Sequence, residues 1–110
     1  FTMEQVFYRE RLQQRQGIDV VLPDAADREI VHRVIYDELC AGQLRDASRD
    51  EYRRIIGRLV AKGAQAVILG CTEISLLVNA ADAAVPLFDT TRIHATTAAE
   101  YALADRQSFP

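Results

Sequence analysis

Three observations predict an α/β fold, with a parallel sheet flanked by helices. Short apolar runs, rich in β-branched residues, recur at 18–22, 65–70 and 85–89. Stretches of helical period separate them, and capping residues or glycines mark the junctions. Strands that alternate with helices imply right-handed crossovers, hence parallel neighbours with helices on both faces of the sheet.

In chain order, Thr2-Met3-Glu4-Gln5 reads as a capping box that opens a first helix to about Arg15, stopped by Gly17. Met3, Val6, Phe7, Tyr8 and Leu12 are its apolar residues. "IDVVL" (18–22) is predicted as a buried strand. Asp24 can cap the helix that follows over 25–41, whose apolar face is Ile30, Val31, Val34, Ile35 and Leu39 and whose end is Gly42. Ser48 and Glu51 form a second capping box, and Tyr52, Ile55, Ile56, Leu59 and Val60 make the stripe of that helix, closed by Gly63. "QAVILG" (65–70) is a second strand, 72–79 a short helix, and "VPLFD" (85–89) a third strand. Pro86 cannot donate to a ladder, so this strand belongs at an edge or pairs only at its end. A last helix runs from Thr90 or Thr91 through Ile93, Ala98, Ala102 and Leu103 to about Asp105, and the tail "RQSFP" has no periodicity.

The 110 residues, 49% hydrophobic and 26% charged, suit one small domain with a single core. A net charge of −3 provides no footprint for nucleic acid or acidic membranes. No apolar run approaches the roughly 18–20 residues of a membrane-spanning helix, and the start has no signal-peptide pattern. Two cysteines, Cys40 and Cys71, are too few for a disulfide framework and point to a reducing, cytoplasmic setting. The first helix has no strand before it, so a strand upstream of Thr2 is expected in a longer parent protein.

Cys71 carries the chemical signal. Ligands of open parallel sheets bind beyond the carboxyl ends of the strands, and Cys71 falls at that edge, just after a strand and near a helix N-terminus. Aligned peptide dipoles there predict a thiol that ionises more easily than a free one. Gly70 permits a close backbone approach, and the N–H groups around Thr72 and Glu73, with the Thr72 hydroxyl, can hold a carboxylate. By position alone a second reading stays open, with Cys71 a small core residue and Thr72 an N-cap.

"GAQAVILGCTEISLL" (63–77) resembles the second cysteine motif of the aspartate/glutamate racemases. "FTMEQVFYRERL" is similar to the family's Thr-Met segment, "GIDVVLPDAADREIVHRVIYDEL" to its next strand and helix, and "VPLFDTTRIHATTAAEYAL" to its closing Asp-Thr-x-x-Ile-His segment. The resemblance covers nearly the whole chain and implies the C-terminal lobe of a two-lobe fold, residues 1–110, without its N-terminal lobe and first strand. It implies a racemase that uses no cofactor and no metal, acting on a small acidic amino acid, often as a homodimer. Two cysteines, one from each lobe, remove and return the α-proton from opposite faces.

Cys71 matches the second of these cysteines. Cys40, late in the 25–41 helix, is read as structural, so the isolated chain holds half a site and is expected to be inactive. Thr72 matches the family's carboxylate contact. Glu73 stands where glutamate racemases carry histidine, which implies the aspartate-type or broad-specificity branch. Thr2 and His94 are further substrate-binding candidates, and Arg45 could reach a second carboxylate, against plain capping, core or solvated roles. His32 reads as a surface residue, and Ser75 replaces a proline usual in the family. Two alternatives remain. One is a related cysteine chemistry of the hydantoin racemase, arylmalonate decarboxylase or maleate isomerase kind, and the other is a non-catalytic ligand-binding relative.

Overall fold

The computed structural model describes residues 1–104. A 3-10 turn at Thr2–Glu4 leads into helix α1 (Val6–Gln16), and helix α2 (Ala25–Arg33) continues as a π turn (Val34–Glu38) and a second 3-10 turn (Leu39–Ala41). Helix α3 (Asp46–Ala61) precedes strand β1 (Val67–Leu69), the single turn α4 (Ile74–Leu77), strand β2 (Leu87–Asp89) and helix α5 (Thr90–Leu103). The expected helix end at Asp105 and the tail 106–110 lie outside the described residues.

β1 and β2 pair in parallel, with Val67 opposite Leu87 and Leu69 opposite Asp89. Pro86 has no N–H, but its carbonyl accepts from the Val67 amide at 3.0 Å. It therefore enters the ladder as an acceptor only, as expected for a proline at a strand end. The predicted strand over 18–22 does not form. Ile18 and Val21 are exposed, and Val20 joins Val6, Arg9, Glu10 and Gln13 around a cleft beside α1. Apolar β-branched residues favour an extended chain, yet a strand also needs a ladder partner, and the described ladder joins β1 to β2 alone.

The core lies mainly between α2 and α3 and under β1. Val31, Val34, Leu39, Tyr52, Ile55, Leu69, Ile74, Leu77 and Val78 form one buried cluster. Helical spacing explains the choice: Asp27, Val31, Val34 and Glu38 follow one another at steps of four, three and four, so all four point at α3. The two polar members of this stripe are buried with partners. Asp27 Oδ1 accepts from Arg54 Nη1 at 3.0 Å and Arg58 Nη1 at 3.2 Å, and Glu38 Oε2 accepts from the Ser48 hydroxyl at 2.5 Å. The Tyr52 hydroxyl donates to the Val31 carbonyl between them, at 3.2 Å. Early α2 thus meets late α3 and the reverse, so the two helices are antiparallel.

Both expected capping boxes are replaced. The Glu4 and Gln5 amides bond the Phe1 and Thr2 carbonyls in the opening 3-10 turn, so the donors that the Thr2 side chain would have capped are already satisfied. α3 starts two residues before Ser48, at Asp46, and burial draws the Ser48 hydroxyl to Glu38 rather than to a backbone amide. Asp24 does stand at the N-cap of α2, but it makes no cap bond, and its carboxylate pairs with Lys62 Nζ at 2.5 Å. The helix ends agree with expectation: Gly42 and Gly63 take left-handed φ values of 72° and 99°, where a side chain would be strained.

Candidate active site

At Leu69 and Asp89 the ladder ends and the two chains diverge. β1 continues through Gly70 to Cys71, while β2 turns directly into α5. Asp89 makes that second turn by accepting from the Thr91 and Arg92 amides at 3.1 and 3.2 Å, as the N-cap of α5. Thr90 faces the first, its hydroxyl donating to the Leu69 carbonyl at 3.0 Å.

Cys71 is partly buried and packs against the core cluster. Its Sγ donates to Glu73 Oε2 at 2.8 Å. Burial and this hydrogen bond push the thiol above its ordinary value, while backbone N–H groups of Glu73 and Ile74 pull more weakly in the opposite direction. The expected easing of ionisation is therefore reversed in this structure. Its physical cause is the short helix: α4 is one turn, Ile74–Leu77, rather than the expected 72–79, so few peptide dipoles align to offset burial and a neighbouring carboxylate. Glu73 moves the other way, held below the usual carboxylate range by bonds from Cys71, then Thr72, then its own amide. The shared proton sits on sulfur. Beneath them in the core, the Tyr52 hydroxyl is pushed up by burial and then by the charges of Cys71 and Glu38, so it stays neutral.

The predicted site residues fall into two groups. Cys71, Thr72 and Glu73 form one turn: Thr72 is exposed and its hydroxyl bonds Glu73, while the Ser75 hydroxyl lies 3.4 Å from the Thr72 carbonyl. Thr72 is not an N-cap, because the residue before α4 is Glu73. His94 lies one turn into α5 and is exposed, with no hydrogen bond or ion pair to the Cys71 turn among the described residues. Thr2 is exposed on the opening turn, whose neighbour Met3 packs on the core. Arg45 bonds Gln43 Oε1 at 2.6 Å and stands 3.9 Å from Glu38. Cys40 is exposed.

Thr90, Tyr52 and Glu38 have polar roles around the site that sequence reasoning missed. Glu38 was findable, since it continues the stripe of Val31 and Val34 at helical spacing. Thr90 was not, because its role depends on the register that places Asp89 beside Leu69. Among the described residues no cluster of His, Cys, Asp or Glu is arranged to hold a metal ion. No helix among them is long and apolar enough to cross a membrane.

A small parallel sheet flanked by helices, with a thiol hydrogen-bonded to an acidic neighbour at its carboxyl edge, defines the class: an α/β lobe with a cysteine at the edge where such sheets carry their sites. The Asp/Glu/Hydantoin racemase family model matches residues 1–98, and the chain belongs to that family. It is 61% identical to a candidate Asp/Glu racemase of known structure from Yersinia pestis, with a TM-score of 0.86. It is 34% identical to an aspartate racemase homologue from Pyrococcus horikoshii OT3, with a TM-score of 0.81. In both comparisons the match covers 94% of this chain and 45% of the other. The chain therefore spans less than half the length of these relatives.

Proposed function

We propose that this chain is the C-terminal lobe of a racemase that inverts the α-carbon of an acidic amino acid, aspartate or glutamate, with two thiols and no cofactor. One thiolate removes the α-proton, and a thiol on the opposite face supplies a proton to the resulting carbanion, so the count of protons and charges is unchanged at the end. Cys71 is the second of the two, resting as the thiol, with Glu73 placed to receive its proton or restrain it. Thr72 and the amides of its turn hold the substrate carboxylate, and Thr2 and His94 are further substrate contacts. The first thiol comes from an N-terminal lobe outside 1–110, in a cytoplasmic enzyme that works as a homodimer. The observation that carries this reading is the Cys71–Glu73 pair, 2.8 Å apart at the carboxyl end of β1, inside the span matched by the family.

The test is α-proton exchange of L- and D-aspartate and glutamate in deuterated water. The two-lobe enzyme is expected to exchange and invert, Cys71→Ser to lose inversion, and the isolated chain to do neither. Inversion retained in Cys71→Ser overturns the role of the thiol. Exchange without inversion in the two-lobe enzyme replaces the two-thiol mechanism with a one-sided protonation.

A further inference from the structure

The path from β1 to Cys71 is held at very few points. Leu69 is buried at 5% exposure, and Cys71 leans on the core two residues later. Gly70 between them brings no side chain, and even a Cβ built there would touch nothing within 4 Å. The direction in which the chain leaves the sheet is therefore set by the plane of the Leu69–Gly70 peptide. Three ladder pairs end at this residue, and the carbonyl of that same peptide accepts the Thr90 hydroxyl at 3.0 Å. Thr90 is itself well fixed. It is the first residue of α5, its predecessor Asp89 caps the helix with two bonds, and a β-branched side chain has little freedom at χ1.

We infer that Thr90 is a positioning residue for Cys71: by gripping the Leu69 carbonyl it orients the Gly70 hinge and keeps Sγ on Glu73. A threonine that merely satisfied a stray carbonyl would affect stability and leave the thiol alone. The inference rests on reading Cys71 as the reactive thiol, but its test scores labelling and not turnover, so the two can fail separately. The titratable group that acts on the sulfur is Glu73 on its own turn, and the sulfur in turn acts on Tyr52 from α3; the variants below leave both in place.

Labelling of Cys71 by iodoacetamide is followed from pH 6.5 to 10 by peptide mass spectrometry, with exposed Cys40 as an internal control, in wild type, Thr90→Val and Thr90→Ser. Thr90→Val is expected to free Sγ from its buried, Glu73-bonded setting and raise Cys71 labelling at pH 7.5 by about threefold or more, the change that follows from a half-unit fall in thiol pKa. Cys40 labelling is expected to stay constant, and Thr90→Ser, which keeps the hydroxyl, to restore the wild-type profile. A Thr90→Val profile that superimposes on wild type overturns the inference, as does a shift that serine fails to reverse. Should Thr90→Val not fold, the wild-type protein decides. A slowly exchanging Thr90 hydroxyl proton with a nuclear Overhauser contact to the Gly70 amide supports the bond, and a rapidly exchanging one without that contact overturns it.

Discussion

Cys71 and Glu73 are two residues apart, and their hydrogen bond couples a thiol to a carboxylate. Each group shifts the other, and the direction of both shifts keeps the proton on sulfur. Replacing Glu73 with glutamine removes the negative charge, so the Cys71 labelling midpoint is expected to fall while that of Cys40 does not change. The linkage to stability has a definite sign. The folded thiol holds its proton more tightly than the unfolded one, so stability declines as pH rises from the ordinary thiol value, about 8.5, through the folded value. Urea midpoints between pH 8 and 10 are expected to fall more in wild type than in Cys71→Ser. Glu38 is the other buried acid held by a neighbour's hydrogen bond. Ser48→Ala leaves a buried carboxylate oxygen without its short hydroxyl donor and is expected to destabilise the chain by about 1–3 kcal/mol in denaturant unfolding.

α3 joins the other elements to one another. One of its faces packs against α2 through Ser48, Tyr52, Arg54 and Arg58. Another reaches the end of α4 and the turn after it: Arg49 Nε donates to the Leu77 carbonyl at 2.8 Å and Arg53 Nε to Asp82 at 2.6 Å. Asp82 is buried and also closes a capping box with Asn79, a short signature carried by the sequence at 79–82. Asp27→Asn keeps shape but weakens the acceptor for Arg54 and Arg58. Both arginines remain partly exposed, so water softens the loss, and about 1–3 kcal/mol of destabilisation is expected. Gly57 offers the opposite case. It lies within α3, exposed, and an added Cβ would meet nothing. Gly57→Ala is expected to stabilise the chain by about 0.5–1 kcal/mol, seen as a higher denaturant midpoint at unchanged slope.

At the scale of the whole molecule the chain is elongated. Its radius of gyration is 15.9 Å and its extents are 50 × 33 × 25 Å, against about 13 Å for a compact domain of roughly this length. α1 and α5 bury no residue. Ile68 and Phe88, opposite each other in the ladder, are 42% and 47% exposed, and Phe7 and Leu76 are more open still. An apolar surface so poorly covered favours association. Sedimentation velocity is expected to show an apparent mass that grows with concentration for the isolated chain, and a fixed mass throughout would contradict it.

Periodicity and punctuation were enough to place α2, α3, β1, β2 and α5, because an amphipathic helix or a short β-branched run is a local property. The thiol at a strand end was legible for the same reason. Three features were decided only by tertiary structure. The segment 18–22 is no strand, since a strand is defined by its neighbour. Ser48 is not a cap, since α3 begins two residues before it, and its hydroxyl donates to the buried Glu38 carboxylate instead. Cys71 keeps its proton, since burial and Glu73 together outweigh one turn of helix. In each case the sequence determined what a residue is able to do, and the groups brought beside it by the fold determined which of those possibilities it realises.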